Sequence, residues 1–286
     1  MPIQLKQLRK NLTYEISATI ERIIADLQEI TELDKLAEIK QKQYDKKAIY
    51  CFIGLLASLA LTFVLPILII LVFVLVILFI YILVIRAKFS RINVENYRYE
   101  VTQKVLQMLD RDIDKASEVK LQLSFNSVDK NEYKTGTTPH PYKSGWKIDN
   151  YEHEWLNMQG QFLDKTRFQL TVNGLAKRQY GWKRSSSGKN KHKSKTKSRG
   201  LDISLILNYP QRRYGEVKAL ENALLDAVKL PNLADLKGAK VTNKTIHLVV
   251  RVGSQVADNT QEIYQTITMM FLSIYQVLNF AKKLAK

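Results

Sequence analysis

Between residues 183 and 200 the chain reads KRSSSGKNKHKSKTKSRG, with eight lysines or arginines, one histidine and no acid. Closely spaced ammonium and guanidinium groups without neutralising carboxylates hold the phosphates or carboxylates of a polyanion. Aromatic residues stand beside them: Tyr180 and Trp182 before the run, and Tyr214 next to Arg212 and Arg213 after it. Rings mixed with cations suit stacking on nucleobases, and equally the headgroup boundary of a bilayer. The candidate binding residues are therefore Lys183, Arg184, Lys189, Lys191, Lys193, Lys195, Lys197, Arg199, Arg212 and Arg213, with Tyr180, Trp182 and Tyr214. The charge is local. Residues 165–213 carry fourteen Lys or Arg against Asp202 alone, and so account for thirteen of the chain's net charge of +17.

Signals for bond-making chemistry are sparse. GxxxxGK[ST], HExxH, CxxC and GxSxG are all absent from the sequence, which leaves no phosphate-cradling loop, zincin helix or nucleophile elbow to build on. His153 lies in DNYEHEW, where Asp149, Glu152 and Glu154 could join it around a cation. Alternating acids of this kind read more simply as solvated side chains. Cys51, the single cysteine, has no disulfide partner and falls in an apolar run, as expected of a small buried hydrophobe. The expectation is a non-enzymatic protein with no catalytic, cofactor-binding or metal residues.

The elements that must position the basic run begin with a membrane segment. Residues 48–85 contain no charged side chain. As one straight helix they would extend about 57 Å, nearly twice a hydrocarbon core of about 30 Å. Two helices, 48–65 and 67–85, broken at Pro66, fit better, because proline removes a helical N–H and turns its predecessor out of the α region. Lys46 and Lys47 before the run, and Arg86 and Lys88 after it, place both flanks on the cytoplasmic side. One kinked or tilted span is the alternative. The localisation expected is an integral membrane protein of bacterial inner-membrane type, with both termini cytoplasmic.

Residues 1–47 read as an amphipathic helix, with Leu5, Leu8, Leu12, Ile16, Ile20, Ile23, Leu27 and Ile30 spaced by three or four. Residues 86–118 read as a second helix, with Val101, Val105 and Leu109 on its stripe. The two are expected to pair as an antiparallel coiled-coil stalk, within one chain or between copies in a homo-oligomer.

From residue 119 the apolar period drops to two. Val119, Leu121, Leu123 and Phe125 alternate with polar residues, as do Phe168, Leu170 and Val172; Leu201, Ile203, Leu205 and Leu207; and Ile246, Leu248, Val250 and Val252. Helices are expected at about 214–229 and 260–284. The fold class is thus an α+β membrane protein: a mainly antiparallel sheet of four or more strands in residues 119–286, packed by helices. Residues 126–160 read as a long excursion, and the basic run 183–200 as a disordered hairpin tip.

The function expected is a membrane-anchored scaffold or adaptor that presents its basic domain to an anionic partner. Lipid headgroups and an acidic protein lead, nucleic acid is a third choice, and a solvated loop without a partner is the bland one. The layout is similar to that of bacterial defence effectors in which a cytosolic sensor gates membrane disruption, so a ligand-gated membrane-disrupting effector is the alternative.

Overall fold

The computed structural model describes residues 11–62, 65, 67, 69–90, 94–184, 186, 188–215 and 217–284, apart from the side chains of 219, 222 and 223. The chain divides into two compact units. The first comprises Met1–Ala25 with Tyr97–Lys286, and the second comprises Asp26–Asn96.

The first unit is built on one antiparallel sheet. Its strands are β1 (Thr13–Ala18), β2 (Val119–Ser124), β3 (Lys134–Pro139), β4 (Lys147–Gln161), β5 (Arg167–Arg184), β6 (Asn190–Asn208), β7 (Ala234–Val241) and β8 (Thr245–Val252). The order across the sheet is β1-β2-β4-β5-β6-β8-β7, with β3 also pairing with β4. The alternation seen in the sequence puts Leu121, Leu123, Leu170, Val172, Ile203, Leu205, Leu248 and Val250 on one face, each 2% exposed or less. Burying each such side chain contributes about 1.5–3 kcal/mol.

Helix α5 (Thr260–Leu284) covers that face. Ile263, Ile267, Met270, Ile274 and Leu278 step by three or four and are all buried. Phe271 meets Phe168 edge-on at 6.0 Å. The Asn259 side chain accepts the Gln261 and Glu262 N–H groups (2.9 and 3.3 Å), capping the helix. Helix α3 (Asn96–Leu109) lies along α5. Thr260 donates to Glu100 at 2.8 Å, and Lys104 donates to Gln261 at 3.2 Å.

Four sequence expectations change here. Residues 13–18 form an edge strand instead of helix, with Tyr14 opposite Leu123 and Ile16 opposite Leu121. Thr, Tyr and Ile favour strands, and the spacing of Leu12, Ile16 and Ile20 did not reveal it; residues 3–10 lie outside the described residues. The second stalk helix is not a stalk. Its residues 97–109 are embedded in the first unit, with Tyr99, Val101, Val105 and Leu106 at 1% exposed or less. It ends before a polar turn in which Asp114 accepts the Ala116 N–H (2.8 Å). The excursion at 126–160 contains β3 and most of β4. The helix expected over 214–229 is a helical turn at Gln211–Tyr214, a 3₁₀ turn and a short helix α4 (Glu221–Ala227).

The second unit contains most of α1 (Ile20–Leu61) and all of α2 (Ile69–Ser90). The expected first span is no separate helix, since α1 runs unbroken through it as far as Leu61; the break at Pro66 falls outside the described residues. The two helices pack antiparallel. Tyr44 stacks on Phe89 (5.8 Å), Arg86 pairs with Asp45, Phe52 meets Phe79 (6.0 Å), and Ala48, Cys51 and Ile82 form a small buried cluster. Cys51 is buried there, as expected. Among the described residues one helix, Ile69–Ser90, is long and apolar enough to cross a membrane. At 22 residues it spans about 33 Å.

Candidate polyanion-binding site

The basic run does not hang loose. It is the distal half of a β-ribbon in which β5 and β6 pair residue by residue from Arg167 and Asn208 out to Arg184 and Asn190. Directly opposed residues of an antiparallel pair share a face, and successive residues alternate. On one face this register places Lys177 opposite Lys197, Gln179 opposite Lys195, Gly181 opposite Lys193, and Lys183 opposite Lys191. The other face carries Arg178 with Thr196, Tyr180 with Ser194, Trp182 with His192, and Arg184 with Asn190. Six lysines thus line one side of the ribbon with no acid among their cross-strand partners. Aromatic and polar groups line the other.

A one-residue irregularity decides which side the lysines take. Along β6 the odd positions 191, 193, 195 and 197 are lysine, and the odd positions 201, 203, 205 and 207 are core leucine or isoleucine. In a regular strand all eight would share one face. The register with β5 slips between Leu175/Gly200 and Ala176/Ser198, leaving Arg199 as the extra residue of a β-bulge. Below the bulge odd residues face α5; above it they face the opposite way. Gly200 makes this possible, with φ at +103° and the place of a Cβ only 2.1 Å from the Val252 carbonyl oxygen. A one-residue slip exchanges the faces of everything beyond it, and here it keeps four ammonium groups from continuing the core face.

Acids fix the base of the ribbon. Arg178 donates to the Asp129 carboxylate (3.0 Å) and carbonyl (2.7 Å), and Thr196 donates to the same carboxylate at 3.2 Å. The Ser127 hydrogen bond, opposed by burial and joined by Arg178, holds the Asp129 carboxyl below its ordinary value. Asp149 accepts Lys134 (2.8 Å) and Thr137 (2.6 Å), whose bonds outweigh its burial and lower its pKa. Both acids neutralise cations of the aromatic face and leave the lysine face uncompensated.

The two faces of the ribbon separate most of the sequence-selected residues. Lys183, Lys191, Lys193, Lys195 and Lys197 share the lysine face. Tyr180, Trp182 and Arg184 lie on the other, and Trp182 is 66% exposed. Lys189 sits at the turn, and Arg199 occupies the bulge, reaching Asn150 at 3.4 Å. Arg212, Arg213 and Tyr214 follow the far end of β6, roughly 60 Å along that strand from the tip, and do not join the ribbon. Tyr214 is buried and donates to Asp164; burial, with that bond, pushes its phenol up to about 12. Lys177 belongs to the lysine face but stands outside the dense run, and Lys143 and Trp146 approach it from the turn before β4. Gly200, a glycine at the seam of two alternating segments, was the available signal for the bulge.

The DNYEHEW cluster is divided by the sheet. Asp149 and His153 point inward while Glu152 and Glu154 are exposed. His153 shares a hydrogen bond with Ser124 (3.0 Å) and stacks on Tyr133 (4.0 Å). No group of three or more metal-binding side chains occurs among the described residues. Comparison with models of known protein families, with curated proteins and with solved structures found no match.

Proposed function

We propose that the chain is a non-enzymatic, membrane-anchored scaffold or adaptor whose α+β unit offers the lysine face of the β5–β6 ribbon to anionic phospholipid headgroups. The one-sidedness of that face carries the reading. Like charges directly opposed across a ladder are destabilising, yet Lys177–Lys197 and Lys183–Lys191 are such pairs. A counter-charged surface relieves them. Lysines are compact point charges without the fork geometry of arginine, which suits a fluid layer of phosphates better than one shaped ligand.

The anchor is supported by surface chemistry. Phe73, Ile77 and Val84 of α2 are 65%, 69% and 63% exposed, and Ile49, Ile53 and Leu56 of α1 are similarly bare. Soluble monomers rarely expose contiguous apolar patches beyond a few hundred Å². A pair of helices that enters and returns, with Lys46, Lys47, Arg86 and Lys88 at one boundary, agrees with cytoplasmic retention of positive flanks. Leu36 and Ile39, both more than half exposed on α1, are the positions through which copies would pair.

Full-length protein in neutral phosphatidylcholine nanodiscs, where the anchor is already satisfied, provides the test. It should co-sediment with vesicles containing phosphatidylserine and not with neutral ones. Each lysine near such a surface contributes about 1 kcal/mol, so replacing Lys191, Lys193, Lys195 and Lys197 by serine should weaken capture at least about tenfold. Capture that ignores the substitution sinks the reading. Binding to polyglutamate but not to vesicles replaces lipid with an acidic protein.

A further inference from the structure

Residues 140–146 fold back over the lysine face. The His140 N–H donates to the Trp146 carbonyl (2.9 Å) and the Trp146 N–H to the Lys143 carbonyl (3.2 Å), with Gly145 at φ +72° making the turn. The indole lands on Gly181, where a Cβ would lie 2.6 Å from Trp146 Cγ, so this seat exists only because residue 181 has no side chain. Trp146 Nε1 donates to the Trp182 carbonyl at 3.2 Å, and the Lys143 ammonium stands 4.5 Å from the ring centroid. Between the Trp146 segment and the ribbon lies a groove of 580 Å³, whose walls bring together Lys143, Lys183, Lys193 and Lys195, with Gln179 and the chain at Ser194.

This concavity differs from the rest of the face. A bilayer plane can lie on a row of lysines but cannot enter a groove. Four lysine side chains from three chain segments line one volume of the size that small ligands occupy, and no carboxylate lines it. Such a site takes several negative charges carried on one compact molecule. The indole, seated on Gly181 and carrying Lys143, builds the wall and leaves little ring face on which a base could stack.

We infer that this groove binds a compact, multiply phosphorylated polyol, carried on a lipid headgroup or free in solution. The inference rests on the lysine face being anion-binding and specifies its ligand.

The test uses the full chain in phosphatidylcholine nanodiscs, titrated calorimetrically with inositol hexakisphosphate and with inorganic phosphate, and offered vesicles containing phosphatidylinositol bisphosphate or charge-matched phosphatidylserine. Lys143→Ser alters the groove alone, and Lys197→Ser alters the face outside it. Lys143→Ser should weaken the hexakisphosphate about fivefold and phosphatidylserine capture by less than about twofold, with the reverse for Lys197→Ser. Preference for the bisphosphate lipid over phosphatidylserine assigns the source to the membrane; its absence, with the hexakisphosphate still bound, assigns a free ligand. Hexakisphosphate bound no better than inorganic phosphate, or equally weakened by both substitutions, overturns the inference. Loss of phosphatidylserine capture with groove binding intact would instead remove the broader proposal.

Discussion

Gly200→Ala places the greatest demand on the geometry. The residue holds φ at +103°, a region in which a side chain costs about 1–3 kcal/mol. The added Cβ would also sit 2.1 Å from the Val252 carbonyl oxygen, on a strand fixed by pairing on both sides. Either the β6–β8 ladder moves apart, or the bulge is lost and the distal lysines rotate toward the apolar face. Both routes are costly, and together strain and displacement should destabilise the first unit by about 2–4 kcal/mol. For a unit of this size each kcal/mol lowers Tm by about 2–4 °C, which gives a fall of roughly 5–15 °C by calorimetry. Gly136→Ala is the control, since nothing lies within 4 Å of its added Cβ and its φ is ordinary. The molecules of Gly200→Ala that stay folded should also lose phosphatidylserine capture. A Tm change no larger than that of Gly136→Ala would refute the role assigned to the bulge.

Two further perturbations follow from the same structure. Burial, reinforced by Arg98, lowers the His153 pKa from 6.5 to about 4. Between those values the unfolded chain binds more protons, so stability is full above pH 6.5 and falls as pH drops toward 4, by roughly 3 kcal/mol in all. His153→Gln should flatten that part of the urea-midpoint profile, and an unchanged slope would count against it. Ile77→Lys sets a charge midway along α2. At about 2.5–3.5 kcal/mol for a charge at a span's centre, it should shift the chain into the carbonate-extractable fraction. Retention in the pellet would contradict membrane insertion of this helix.

Where one face is buried and the strand is regular, the sheet was legible: β2, β8 and the inner halves of β5 and β6 alternate cleanly, and α5 shows an uninterrupted stripe after its Asn259 cap. The elements that escaped did so for physical reasons. In β4 the buried positions run Tyr151, His153 and Trp155, then Leu156 and Met158, because a bulge near Glu154 moves the inward residues from odd to even. That break in period made the segment look irregular. β1 combines strand-forming residues with a spacing that a helix also satisfies. α3 has the stripe of a stalk helix, and nothing local says that a sheet and α5 will bury it. The basic run was found by composition alone, and its order was missed. Alternation passes from lysine to leucine through Arg199 with no change of parity, so the glycine at 200 is the cue to a bulge and the change of face itself appears in the register. Trp146 and Lys143 reach the site through a turn whose destination is non-local.

The central claim is that the face on which the lysines stand, rather than their number, sets what the ribbon binds. It is tested by exchanging neighbours along β6: Lys191→His with His192→Lys, and Lys193→Ser with Ser194→Lys. Composition and net charge stay the same, while two ammonium groups move to the aromatic face. With the protein in neutral nanodiscs and phosphatidylserine vesicles as the probe, capture should fall about fivefold or more. Capture equal to that of the native chain would contradict the account.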